Sequence, residues 1–168
     1  LTKIKSFSET ICLSDNLLTE KYDMELALRH IILSESSTSD LKKVGDVGIF
    51  LSEKMELLAN NKNFDRDKEY DLFKKVFDCM NDSMGTNSFK RFSKAKKKYE
   101  GGFSVSAFEA ISAGVRHRIK KDKSLITVPT LIESFWSEPE FTDWARSGVT
   151  ASRRLWHTIP YAREFFGR

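Results

Sequence analysis

The chain has 168 residues, 40% of them hydrophobic and 31% charged, and carries a net charge of +4. Such a length fits one domain or two small helical lobes and buries a core unaided by metals or disulfides, and the composition excludes a disordered chain. No apolar run approaches the roughly 20 residues that cross a bilayer and no N-terminal signal is written, while Cys12 and Cys79 stand alone without a C-x-x-C, which predicts buried thiols in a reducing cytosol.

Pro129, Pro139 and Pro160 all lie in the last quarter, and Val, Ile and Thr do not alternate in period-two runs. The expected fold is all-α, an irregular bundle of about seven to eight helices. It reads as a single helical domain over 1–168, with possible sub-lobes 1–100 and 101–168. The first residue is Leu1, not an initiator methionine, and the chain is expected to be the C-terminal part of a larger protein.

Residues 1–18 read as a leading segment with at most a short helix. In "TEKYDMELALRHIILSES", Met24, Leu28, Ile31 and Ile32 fall on one face, and acids at the start suit the helix dipole. Asp40 is placed to cap "LKKVGDVGIFLSEKMELLA", whose stripe is Leu41, Val44, Gly48, Leu51, Met55 and Leu58. Gly45 and Gly48 either admit a close neighbour or mark a later helix start. Asp65 is the expected cap of a helix striped by Phe73, Val76, Phe77, Met80 and Met84, with Gly85 as its stop. "SVSAFEAISAGVRHRIKKDK" is the next helix, and shorter ones follow with Pro129 and Pro139 in first turns. Thr150 is expected to cap the last helix, which Pro160 kinks or restarts.

Charge divides unevenly. Residues 1–88 hold 12 Lys and Arg against 16 Asp and Glu, net −4, and residues 89–168 hold 16 against 8, net +8. A basic half attracts nucleic acid or an acidic neighbour. Its densest stretch holds Lys90, Arg91, Lys94, Lys96, Lys97 and Lys98 among Phe89, Phe92 and Tyr99. Such interleaving grips single strands by stacking and phosphate contact. Alternatively, Phe89 and Phe92 form the core side of a short helix and the lysines are solvated. Arg116 and Arg118 are nucleic-acid candidates too, or simply complement a helix C-terminus with Lys120, Lys121 and Lys123. Arg153 and Arg154 sit where the helix dipole disfavours cations, which points either to phosphate or to a salt bridge with Glu109 or Glu140.

Glu109 is the one carboxylate in "FSVSAFEAISAG". Ser106 three residues earlier gives capping-box spacing. The alternative is an interdomain ion pair, involving Arg153 or a domain outside the chain. A catalytic acid has no partner written near it. The three histidines lack metal-ligand spacing, and no phosphate-cradling loop or nucleophile elbow is present. No catalytic or metal-ligating residue is assigned, and no cofactor.

Three stretches taken in order, "YDMELALRHIIL", "LFKKVFDCMNDSMGTNSFKRF" and "SAFEAISAGV", together with "EPEFTDWARSGVTASRRLWHTIPYAREFF", resemble the helical region of the domain-of-unknown-function family 262 over about residues 21–166. Asp23, Glu25, Arg29, Phe108, Glu109, Arg153 and Arg154 match landmarks of that region. The resemblance implies a bacterial or archaeal anti-phage or restriction-type protein of the GmrSD kind. An N-terminal ParB-like domain with a D-G-Q-Q-R motif would precede the helical part, and a nucleotide and a divalent metal would serve the parent protein. Neither that motif nor an HNH-type signature occurs in this sequence, so no catalytic residue carries over. On this reading Asp23, Glu25, Arg29 and Glu109 face the preceding domain, Arg153 and Arg154 reach phosphate or an interface carboxylate, and DNA and self-association are the further partners. The second reading is a stand-alone basic helical nucleic-acid-binding module, and the third is a protein–protein adaptor.

Overall fold

The computed structural model describes residues 1–168. The leading segment forms two short helices, α1 (Lys5–Ile11) and α2 (Asp15–Thr19), and α1 buries Phe7 and Ile11. Helix α3 (Tyr22–Glu35) follows, but it buries Leu26, Ala27, His30 and Leu33 beside Ile32. Of the expected stripe only Ile32 is buried, and Met24 is 57% exposed. Leu26, His30 and Leu33 share the same i, i+4, i+7 spacing, so periodicity alone does not choose between two overlapping apolar faces.

The next expected helix is two. Ser37 caps α4 (Thr38–Lys42) by accepting the Asp40 amide at 3.1 Å, which places Asp40 inside the helix rather than at its start. Asp46 caps α5 (Val47–Asn60), accepting the Ile49 amide at 2.9 Å. The break lies at Gly45, where helix propensity is weakest. Leu41, Val44 and Leu51 are buried, joined by Val47 and Phe50, whereas Met55 is exposed.

Helix α6 (Arg66–Met84) forms as its pattern predicts. Asp65 accepts the Lys68 amide at 3.0 Å, and Phe73, Val76, Phe77 and Met80 are fully buried. The basic stretch after the 3-10 turn Gly85–Asn87 is no helix. It is an antiparallel hairpin of β1 (Arg91–Ser93) and β2 (Lys98–Glu100), with Phe92 opposite Tyr99. A helix would stack Lys94 beside Lys97 and Lys98, and like charges at those spacings destabilise it. The hairpin instead aligns the two aromatic rings, 5.0 Å apart, and adds Lys98 to the Lys96–Glu100 pair that a helix would also allow.

Helix α7 (Val105–Lys120) is the axis of the molecule, with 13 of its 16 residues buried. A helix apolar or small on every side belongs inside a core, and Ala107, Ala110, Ala113 and Gly114 let neighbouring helices come close. At Gly114 an added Cβ would overlap the Phe166 ring and lie 3.0 Å from the Ala162 carbonyl. The chain then forms α8 (Val128–Phe135), α9 (Pro139–Ala145) and α10 (Ala151–Phe166). Thr150 stands at the start of α10 but its side chain makes no capping bond, and the helix runs through Pro160 without restarting, with Thr158 Oγ1 donating to the Arg154 carbonyl.

The fold is thus mostly helical, with eight of its ten helices at least seven residues long. The larger core cluster draws on α1, α3 and α6 as well as α7 to α10, so it runs across residue 100. A smaller one joins α3, α4 and α5 to α7 and α10. No helix is long and apolar enough to cross a membrane.

Candidate functional site

The capping-box register at Glu109 is off by two residues. Ser104, not Ser106, caps α7 by accepting the Ala107 amide at 3.3 Å. Glu109 therefore stands in the second turn and points into the protein, its side chain wholly buried. One carboxylate oxygen accepts from Arg29 Nη1. The other accepts from Arg154 Nε at 3.1 Å and Nη2 at 2.7 Å. Arg29 is also held by Glu25, one helical turn away, at 2.7–2.8 Å. Burial alone would lower the Arg29 guanidinium's affinity for its proton, but Glu109 and Glu25 outweigh it and the net shift is upward.

Glu25, Arg29, Glu109 and Arg154 thus form one cluster where α3, α7 and α10 meet. Asp23, in the first turn of α3, makes no salt bridge, and its Oδ1 is buried without a partner. Arg153 is not part of the cluster: it is exposed, and no carboxylate lies within salt-bridge distance. The structure thereby chooses between the two adjacent arginines. Arg154 bonds to Glu109, and Glu140 bonds to neither.

A second network runs along the same helix. Arg116 is 3% exposed and binds Glu69 through Nη1 and Nη2 at 2.6 and 2.7 Å and Glu35 through Nε at 2.8 Å. Arg118, 6% exposed, donates to the carbonyls of Ser124, Phe166 and Arg168 and to Thr127 Oγ1. It thereby holds the end of α10, where unpaired carbonyls need donors. Both side chains are committed inside the fold, which removes them from the surface open to a phosphate. Arg163, which the sequence does not single out, closes the end of α3 by donating to the Leu33 and Ser36 carbonyls at 2.6 and 2.9 Å. Buried His30 pairs through Nδ1 with Ser112 Oγ at 2.9 Å. Burial, with Arg116 adding to it, holds its basicity well below that of an ordinary histidine.

The hairpin places Arg91, Lys94, Lys96, Lys97 and Lys98 at the surface, with Lys90 half-buried. Its aromatics are already used. Phe89 is 1% exposed, Phe92 packs on Tyr99, and the Tyr99 hydroxyl donates to Glu133 at 3.3 Å. The cysteines are both free. Cys79 is half-buried, and Cys12 is exposed, contrary to the expected burial, because the chain turns there at a left-handed φ of 42° just past α1.

Two surface features remain unpartnered. Leu1, Met24, Leu28, Ile31, Leu51 and Met55 line an open apolar groove of about 580 Å³ between α3 and α5. The residues that α3 turns away from the core thus face this groove. Elsewhere, Arg146 and Arg153 line a cleft at the α9–α10 turn with Trp144 and Asp143. No protein-family model, curated protein or solved structure matches the chain.

Proposed function

We propose that the chain is the helical, non-catalytic region of a bacterial anti-phage or restriction-type protein, supporting an N-terminal ParB-like domain that processes nucleotide or DNA. The apolar groove carries this reading. Met24 and Met55 are exposed apolar side chains gathered in one groove, which offers a place that another structure can cover, and Leu1 itself lines the groove. A domain joined ahead of Leu1 would therefore be tethered beside the surface it covers. Glu109, Arg29, Arg154 and Arg116 bond to one another or to other residues of the fold, so these charges need no partner outside it. The reading places the protein in the cytoplasm.

The test is twofold. The purified chain is incubated with nucleoside triphosphates and with DNA in the presence of divalent metal, and the coding frame ahead of Leu1 is read. A frame continuing into a D-G-Q-Q-R domain, with an inert fragment, is the expected result. Robust metal-dependent hydrolysis or cleavage by the fragment overturns the reading.

The exposed cations of the hairpin favour a second reading, a basic nucleic-acid-binding module. Counterion release makes such binding steeply salt-dependent, and binding that does not weaken as salt rises removes it.

A further inference from the structure

The hairpin supplies cations but no free aromatic platform, and single-strand recognition needs both. A platform exists at the α9–α10 turn. Trp144 is half-buried, and its indole is stacked on His157 with ring centroids 3.4 Å apart and planes 12° apart. Trp156 closes the far side of His157, also at 3.4 Å, and Lys42 lies over Trp156 at 5.1 Å. No ring stacks on the remaining face of Trp144, the nearest other aromatic being Trp156 at 6.3 Å. The stack fixes the indole in place, so little freedom is lost when a flat group docks on it.

The same residue lines a cleft of about 490 Å³ with Arg146 and Arg153. Arg146 also lines a second, smaller cleft, of about 200 Å³, whose other wall includes Arg91. The two clefts therefore adjoin and connect the α9–α10 turn to the start of the hairpin. Arg91, Arg146 and Arg153 are exposed, and none forms a salt bridge or a side-chain hydrogen bond within the chain. Every other arginine of residues 89–168 is held by an internal partner, with Arg168 bonded to Glu164. Asp143 is the one carboxylate lining either cleft. It disfavours a compact, multiply charged anion more than a strand whose charges are spaced out.

We infer that this track from Arg153 through Arg146 to Arg91 binds single-stranded nucleic acid, with phosphodiesters on the three arginines and one base against Trp144 where it lines the cleft. Guanidinium forks match phosphate oxygens, and an indole accepts any base. The inference deepens the nucleic-acid reading by naming the site and the kind of strand, and it does not depend on a preceding domain.

The experiment is fluorescence anisotropy with the 168-residue chain and labelled dT20, at several salt concentrations. Competitors are duplex DNA, ATP, inorganic phosphate and polyglutamate. The expected result is dT20 binding that the Arg146→Ala, Arg153→Ala double variant weakens at least tenfold. That variant should also lower the slope of log affinity against log salt by about 1.4, since each single-strand phosphate contact contributes about 0.7. Trp144→Leu weakens binding about tenfold and Trp144→Phe largely restores it, a pattern that a merely unfolded variant does not give. Lys62→Gln with Lys68→Gln, away from the track, leaves binding unchanged. Failure to bind dT20 at low salt overturns the inference, as does binding indifferent to the arginine and tryptophan variants. Competition by ATP, phosphate or polyglutamate at least as strong as by unlabelled dT20 overturns the strand assignment. Duplex binding lost only on substitution of the hairpin lysines would leave the general nucleic-acid reading standing while removing this site.

Discussion

Replacing Glu109 by glutamine keeps the side chain's volume and removes its charge. The structure sets the consequence. The Glu109 side chain is wholly buried, while Arg29 and Arg154 are only 13% and 12% exposed. Glu25 still pairs with Arg29 in the variant, but Arg154 has no other carboxylate within reach. One nearly buried guanidinium is therefore stranded, a change that costs about 3–5 kcal/mol. Residual exposure and the surviving Glu25 pair place the expected loss near the lower end, about 3 kcal/mol. For a chain of this length that corresponds to a melting temperature lower by about 6–12 °C. Urea and thermal unfolding followed by circular dichroism measure both. The companion variant replaces the buried cluster, Arg29→Met, Glu109→Leu and Arg154→Met, and should recover most of the loss, because the only charge left unpaired is that of the solvent-exposed Glu25. A loss below about 1 kcal/mol in Glu109→Gln, or a triple variant less stable than the single one, would refute the argument that a stranded charge is the cause.

Arg116→Met leaves Glu69, whose side chain is 10% exposed, without its arginine, and should cost about 3 kcal/mol in the same unfolding assay. Gly114→Ala forces the added methyl into Phe166 and the α10 backbone and should cost about 1–3 kcal/mol. Asp65→Ala removes the side-chain cap of α6 and should cost about 1 kcal/mol. His30 is neutral in the fold because burial depresses its basicity, whereas the unfolded chain protonates it near the ordinary 6.5. The unfolded state therefore binds more protons below that pH, and stability falls as pH drops through the window beneath 6.5 by up to about 1.4 kcal/mol per pH unit. His117 and His157 are shifted the same way, chiefly by burial. Urea midpoints between pH 5 and 7 should accordingly decline less steeply in His30→Gln than in the wild type.

Local chemistry was legible wherever a pattern has a single solution. Asp65, the Phe73–Met80 stripe and Gly85 define α6 from sequence alone, because cap, period and stop agree. The same logic failed where two solutions compete. Helix α3 carries apolar residues on two overlapping faces, and only contact with its neighbours decides that Leu26 and His30 go inside while Met24 lines a groove. At α7, Ser104 and Ser106 both offer a cap, and the difference of two residues decides whether Glu109 closes a helix end or anchors two arginines from distant helices. The lysine run was legible as charge but not as a hairpin, since repulsion along a helix and the pairing of Lys98 with Glu100 emerge only when both conformations are compared.

Composition, charge asymmetry and period were enough to establish a helical fold with an acidic first half and a basic second half. Which cations are spent and which are free is a tertiary property. Arg116, Arg118 and Arg154 look no different in sequence from Arg91, Arg146 and Arg153. The first three face carboxylates or carbonyls brought from 6 to 81 residues away, and the others face solvent. Burying a guanidinium requires partners for its charge and its donors, and only the packed helices bring those partners together.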